Sequence, residues 1–376
     1  MPARALSGAT LCALLAGCAS LPATPAAREL GAAVVEIPPA AGLSLEEAGI
    51  ATLDPSMRRF LAGEVTAGDQ LTKLHQLSRA VIENPAFRIE YDDATRTASE
   101  TFETLHGNCL SFTNLFVALA REAGLEIAYQ EVEVPPTWTV QGDAFVVSRH
   151  VNAVATIHGD PSYVVDFNMP MFRAAYPRQS ISDARAAAHY YSNLGVERLA
   201  AGAFAESHAY FRKALAMDRT LPQAWINLGA WHRRSGDPVR AEASYLEALR
   251  LSPRDAVAMG NLAGLHAHAG RDELAAWYRK RISQYRLRNP YYRYELAERA
   301  LRGGNAPRAL RHVREAIRRE PDDATFHALQ GAIYRQLGRT ADARDAFARA
   351  LAISDDPTHR TAMRRKLELL ADPSGS

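Results

Sequence analysis

Cysteine is scarce in this chain, with three among 376 residues, at positions 12, 18 and 109. That is too few for a disulfide framework. A strong charge of either sign is also missing. The 44 Lys and Arg residues oppose 42 Asp and Glu for a net charge of +2, too even a balance to demand nucleic acid. No apolar run after residue 18 is long enough to cross a bilayer. With 47% hydrophobic and 23% charged residues, the composition is that of a globular chain long enough for two domains.

The N-terminus gives the few cysteines their meaning. Arg4 supplies a short positive region, and the apolar stretch "ALSGATLCALLAG" follows before Cys18. This is the layout of a secretory signal, too short to span a membrane. "Leu15-Ala16-Gly17-Cys18" resembles the lipobox of bacterial lipoproteins. The resemblance implies a signal peptide over 1–17, cleavage before Cys18, and lipidation of the Cys18 thiol and its new amino group. Several acyl chains hold a bilayer firmly where one binds only marginally. Ala19 is not the aspartate associated with inner-membrane retention in that family. The implied address is therefore the outer membrane of the cell envelope, facing the periplasm. Cys12 leaves with the signal and Cys18 carries lipid, so Cys109 is the sole free thiol. Exported proteins generally pair their cysteines, which makes an unpaired one a candidate reactive thiol.

Residues 18–50 are rich in Ala and Pro and lack a sustained period, as in a flexible tether, with some extended structure near Val34–Ile37. Residues 51–180 form a first domain with helical spacing early and strand-like runs later. The text then repeats. Gly202, Gly236, Gly270, Gly304 and Gly338 stand 34 residues apart, and Leu194, Leu228, Leu262 and Leu296 keep the same step. Small residues recur at Ser207, Ala241, Ala275, Ala309 and Ala343. This period and pattern resemble the tetratricopeptide repeat, whose helix pairs need small residues where they cross. Five repeats over 188–355 are expected, closed by a polar helix and tail at 356–376. The third repeat departs from the pattern with Arg279 and Ile282, and the fourth has Val313 in place of an aromatic. The run Tyr278–Arg299 interleaves basic and aromatic residues, read as a solvated helix face with tyrosines packing between repeats. His232 and His266 read as groove or packing residues.

Cys109 follows His106, Gly107 and Asn108 at the head of an apolar stripe made by Phe112, Leu115, Phe116, Leu119 and Ala123. Asn108 is a suitable cap and Gly124 a natural stop. The first turn of a helix favours an anion, and a thiolate there is a better nucleophile. The plain alternative is a small residue that simply packs. A nucleophile also needs a base and an orienting group. "VVSRHVNAVATI" alternates as a strand does, with His150 and Asn152 on one face. "SYVVDFNMP" reads as the returning strand and carries Asp166. A connection with an odd number of residues sets position 166 opposite 152, on the His150 side. An even one turns Asp166 away. A metal site from Cys109, His106 and His150 matches no known zinc spacing.

"GNCLSFTNLFVALAREAGLEIAYQEV", "RHVNAVA" and "VVDFN" in this order resemble the transglutaminase-like superfamily of papain-like cysteine proteins, over roughly residues 75–170. The resemblance implies an α+β papain-like domain ahead of an all-α solenoid of tetratricopeptide repeats. It implies Cys109 as nucleophile, His150 as general base and acid, and Asp166 as the group that holds the imidazole. Asn152 departs from the aromatic often found two residues after the histidine. The implied activity is that of a cysteine protease, amidase or acyltransferase working through a thioester, with hydrolysis favoured over crosslinking. No cofactor or metal is implied. The expected partners are a protein or peptide in the repeat groove and the bilayer through Cys18, with no nucleic acid. The alternative is a non-catalytic binding or assembly lipoprotein that works through its repeats.

Overall fold

The computed structural model describes residues 21–31, 33, 49–66, 68–84, 87–132, 150–157, 160–167, 176–354 and 357–371. The signal segment, Cys18 and the run at 34–37 lie outside the described residues. Residues 21–31 correct the reading of 18–50 as one flexible tether. They include a short helix, α1 (Pro25–Leu30), capped by Thr24. Ala27 on this helix is buried against the repeats. Burial of a few small apolar contacts fixes a segment whose sequence has no period to announce it.

The first domain is α+β. The helical spacing in 51–84 becomes α2 (Pro55–Glu64) and α3 (Gln70–Ser78), the latter running on into a π turn at Arg79–Glu83. A four-stranded antiparallel sheet comprises β3 (Ile127–Val132), β4 (His150–Ile157), β5 (Asp160–Val165) and β6 (Arg178–Ile181), in the order β5-β4-β3-β6. Helix α5 (Cys109–Glu122) packs beside it. Leu115, Phe116 and Leu119 of α5 are fully buried. Each such side chain contributes about 1.5–3 kcal/mol by leaving water. The Tyr129 hydroxyl donates to Asn114 Oδ1 at 3.1 Å. Phe167, just past β5, packs against Phe112 and Phe116 in tilted and edge-on contacts, with ring centroids 5.8 and 5.9 Å away.

The repeats follow as helix pairs: α6 (Asp183–Ala200) with α7 (Phe204–Met217), α8 (Pro222–Arg234) with α9 (Pro238–Leu251), α10 (Ala256–His268) with α11 (Asp272–Arg288), α12 (Pro290–Arg302) with α13 (Ala306–Arg319), and α14 (Ala324–Gln336) with α15 (Thr340–Ile353). α16 (Pro357–Ala371) comes last. The five evenly spaced glycines turn the corner within each pair with φ between 68 and 82°. A second set lies where the helices touch. A Cβ on Gly229 would stand 2.5 Å from the Tyr245 ring, and Gly195 against Phe211 and Gly331 against Phe347 are as close. In the third and fourth pairs the glycine becomes Ala263 and Ala297, and the facing aromatic becomes Arg279 and Val313. The two departures seen in the sequence are thus one exchange, since ring and methyl compete for the same space. The buried core also divides there, one cluster ending with α11 and the next beginning with α12. In the basic-aromatic run, Arg281 lies over the rings of Trp277 and Tyr285 at 4.9 and 5.2 Å. His232 and His266 are buried, the latter stacked on Tyr278.

A buried charge cluster joins the two parts. Glu131 on β3 accepts from His189 Nε2 at 2.6 Å and from Arg185 Nε at 2.6 Å, both on α6. Arg185 also reaches Asp218 at 2.8 Å. Burial opposes the charge on Glu131, but the bonds from His189 and Arg185 prevail and hold its carboxyl down at about 2.

Candidate active site

Three local devices place the sulfur. Leu105, with φ 56°, closes α4 (Ala98–Thr104) in the left-handed region and leads into β2 (His106–Gly107). β2 pairs in parallel with β1 (Glu90–Tyr91). A Cβ on Gly107 would lie 2.6 Å from Ser111 Cβ, so the turn into α5 requires glycine. The Asn108 side chain then caps α5, accepting from Ser111 N at 3.0 Å. It is braced by donating to Thr95 Oγ1 at 2.7 Å. Cys109 therefore occupies the first turn, partly exposed, at the end where backbone N–H groups are free to face an anion.

His150 opens β4 beside that turn. The Thr113 hydroxyl lies 2.7 Å from the Cys109 carbonyl and 3.1 Å from the Val151 carbonyl, which ties helix to strand. His150 Nε2 donates to Asp166 Oδ2 at 2.5 Å. The Cys109 sulfur is near enough to favour the charged form of the imidazole. Both His150 and Asp166 have nearly inaccessible side chains, at 3% and 2% exposure. Burial alone would make the imidazole harder to charge. The hydrogen bonds and charges of Asp166 and Cys109 outweigh it and push His150 up to about 9. The ring is imidazolium at neutral pH.

Asp166 reaches this position by a bulge. Two residues, 158 and 159, separate β4 from β5, an even number that would turn position 166 away. Ile157 pairs with Asp160, yet Ala155 pairs with Tyr163, so one residue of β4 faces two of β5. The extra residue restores the register, giving Val154 opposite Val164 and Ala153 opposite Val165. One step further sets 166 opposite 152. Pro161 lies in the bulge, where a missing N–H costs no ladder bond.

The sequence did not identify what holds Asp166. Asn152 is fully buried, and its Nδ2 donates to Asp166 Oδ2 at 2.8 Å, the same oxygen that accepts from His150. Among the described residues, Asn152 Oδ1 has no hydrogen-bond partner. An unpaired buried carbonyl costs about 1–3 kcal/mol, so the amide serves the carboxylate at some expense of stability. Its place on the His150 face was the available signal. Tyr91 was also missed. The residue is 57% exposed, and partial burial followed by the charge on Cys109 raises its phenol. His106 is not drawn into the group. Its ring bonds the Thr104 carbonyl at 2.6 Å and faces Glu90 at 3.3 Å.

Comparison with known proteins agrees with this layout. Residues 59–164 match the model of the transglutaminase-like superfamily, and residues 222–255 and 294–357 match tetratricopeptide repeat models. The chain thus carries a transglutaminase-like domain followed by tetratricopeptide repeats. It is similar to cellulose synthase operon protein C of Xanthomonas axonopodis pv. citri (strain 306), with 29% identity over 165 residues. That match covers 42% of this chain and 11% of the relative. Among solved structures, it is similar to Pseudomonas aeruginosa pilF at 20% identity, covering 52% of this chain and 96% of that one, with a TM-score of 0.27. It is also similar to YrrB, a TPR protein with an unusual peptide-binding site, at 17% identity, covering 46% of this chain and 90% of that one, with a TM-score of 0.25.

Proposed function

We propose that the protein is a lipid-anchored envelope enzyme that cleaves amide bonds through a Cys109 thioester. The observation that carries the reading is His150 held between the Cys109 sulfur and the Asp166 carboxylate. The sulfur, as thiolate, attacks the carbonyl carbon of an amide. The imidazolium gives its proton to the nitrogen as the C–N bond breaks, and an amine or ammonia leaves. The thioester is then attacked by water, whose proton passes to the imidazole, and a carboxylate departs with the thiol regenerated. Capture by a second amine in place of water would give crosslinking. Hydrolysis is favoured by analogy with bacterial relatives. The Cys109 backbone N–H, at the helix start, supports the oxyanion in this scheme. Tetratricopeptide repeats generally bind protein or peptide partners, and the solenoid is assigned that role here.

A thiol-directed acyl probe tests the chemistry. It is expected to label Cys109 faster than a model thiol and to be lost in hydroxylamine, as a thioester is. Labelling no faster than the model thiol would leave the non-catalytic binding reading. The anchor is tested separately by fractionation. The Cys18→Ala chain is expected to leave the membrane fraction, and unchanged retention would refute lipid attachment at that residue.

A further inference from the structure

The segment ahead of the first domain is bound to the repeats in a built site. Thr24 N donates to Glu242 Oε1 at 2.7 Å, and its hydroxyl donates to Glu242 Oε2 at 2.9 Å. The Tyr278 hydroxyl donates to the Pro22 carbonyl at 2.7 Å. Glu242 lies on α9 and Tyr278 on α11, so one short peptide bridges the second and third repeats. Ala27 is 1% exposed, and Leu21 and Leu30 pack on the core beside it. Arg28 folds back to donate to the Leu21 carbonyl at 2.8 Å, which closes the peptide on itself.

Glu242 explains why this is a site. Its side chain is 1% exposed, and a carboxylate so placed is costly unless it is hydrogen-bonded. Within the solenoid its neighbours stand off, with His266 Nε2 at 3.8 Å and Arg271 Nη2 at 3.7 Å. Among the described residues, its hydrogen bonds come from Thr24 alone. The docked segment covers the carboxylate and supplies both of the hydrogen bonds it accepts from the described residues. The carboxylate is placed for a peptide that brings an N–H and a hydroxyl on one residue.

We infer that the surface of α9 and α11 around Glu242 and Tyr278 is a peptide-binding site, and that its occupant is this chain's own segment Leu21–Leu30. The segment is a strap. It brings the lead-in of the chain onto the repeats and leaves little free length behind Cys18. Pro22 is four residues past Cys18, a span of about 14 Å at most. The second and third repeats are then held close to the bilayer. That last consequence rests on the Cys18 anchor proposed above, while the docking does not.

Hydrogen exchange of the full chain in detergent tests the docking. Thr24→Val removes the hydroxyl donor, and Ala27→Asp puts a charge into the buried contact. Neither changes the solenoid itself, and unchanged circular dichroism verifies that it stays folded. The amides of residues 27–30 are expected to exchange roughly tenfold faster or more in both variants, as loss of bonds to a charged group implies. A synthetic peptide LPATPAAREL is expected to bind the Ala27→Asp chain, whose site is open, and not the wild type. A peptide with Val for Thr is expected to bind neither. Equal exchange in all three chains, with no peptide binding to the open variant, would overturn the strap. The Cys18→Ala chain separates the two claims. Its strap is expected to stay protected as the protein leaves the membrane. Protection that persists while the protein also stays in the membrane would remove the anchor and leave the strap standing.

Discussion

Replacing Cys109 by alanine is expected to abolish amide cleavage, with a fall of roughly 10⁴-fold or more. Cys109 is the partly exposed thiol of the site, whereas His150 and Asp166 are buried partners rather than accessible nucleophiles. The fold is expected to survive. Cys109 is only partly buried, and the Asn108 cap that starts α5 does not involve its side chain. Serine is expected to restore little. Its hydroxyl keeps the size but gives no stable anion beside an imidazolium. Turnover of an amide substrate, with the thermal unfolding midpoint as control, measures both points. Substantial activity in the alanine variant would place the chemistry elsewhere.

Asp166→Asn is expected to reduce turnover by roughly 10³-fold, less than loss of the sulfur, because the aspartate moves no proton. It fixes the ring and stabilises its charge. Asparagine can still offer an oxygen to His150 or to Asn152, but it brings no charge. His150 has a raised value of about 9, so its proton is present through the neutral range and lost as pH rises through that value. Removing the carboxylate lowers this value toward the ordinary histidine region near 6.5. The alkaline limb of the activity profile is therefore expected near pH 9 in the wild type and more than one unit lower in the variant. The same linkage makes the His150 charge stabilise the fold below about pH 6.5, with the contribution fading as pH rises through about 9. An unmoved alkaline limb would separate Asp166 from the titration.

The solenoid was legible because each repeat encodes one helix pair, and its corner glycines recur without a slip. The pairing of Gly229 with Tyr245 was half legible. The aromatic stood out in the sequence, while the glycine it needs fell in a helix interior, its 34-residue step interrupted by Ala263 and Ala297. The Cys109 turn was legible through Asn108 and Gly107, whose types answer local demands for a cap and a close approach. The side taken by Asp166 was legible only as a condition. A parity argument counts turn residues, and here the turn is even. The bulge around Pro161 reverses the answer, and a bulge leaves little trace in hydrophobic alternation. Asn152 looked like a departure from a family pattern, and only its distance to Asp166 reveals a role. α1 was invisible because six residues with one buried alanine have no amphipathic period. What fixes it is a carboxylate more than two hundred residues away.

The central claim is that Cys109 and His150 act as one charged pair. The rate of alkylation of Cys109, followed by mass spectrometry from pH 5 to 10 in the wild type and in His150→Ala, tests it most directly. The pair predicts a wild-type rate that changes near pH 9, where the imidazolium loses its proton. In His150→Ala it predicts a profile that lacks this change. Superimposable profiles in the two proteins would contradict the account.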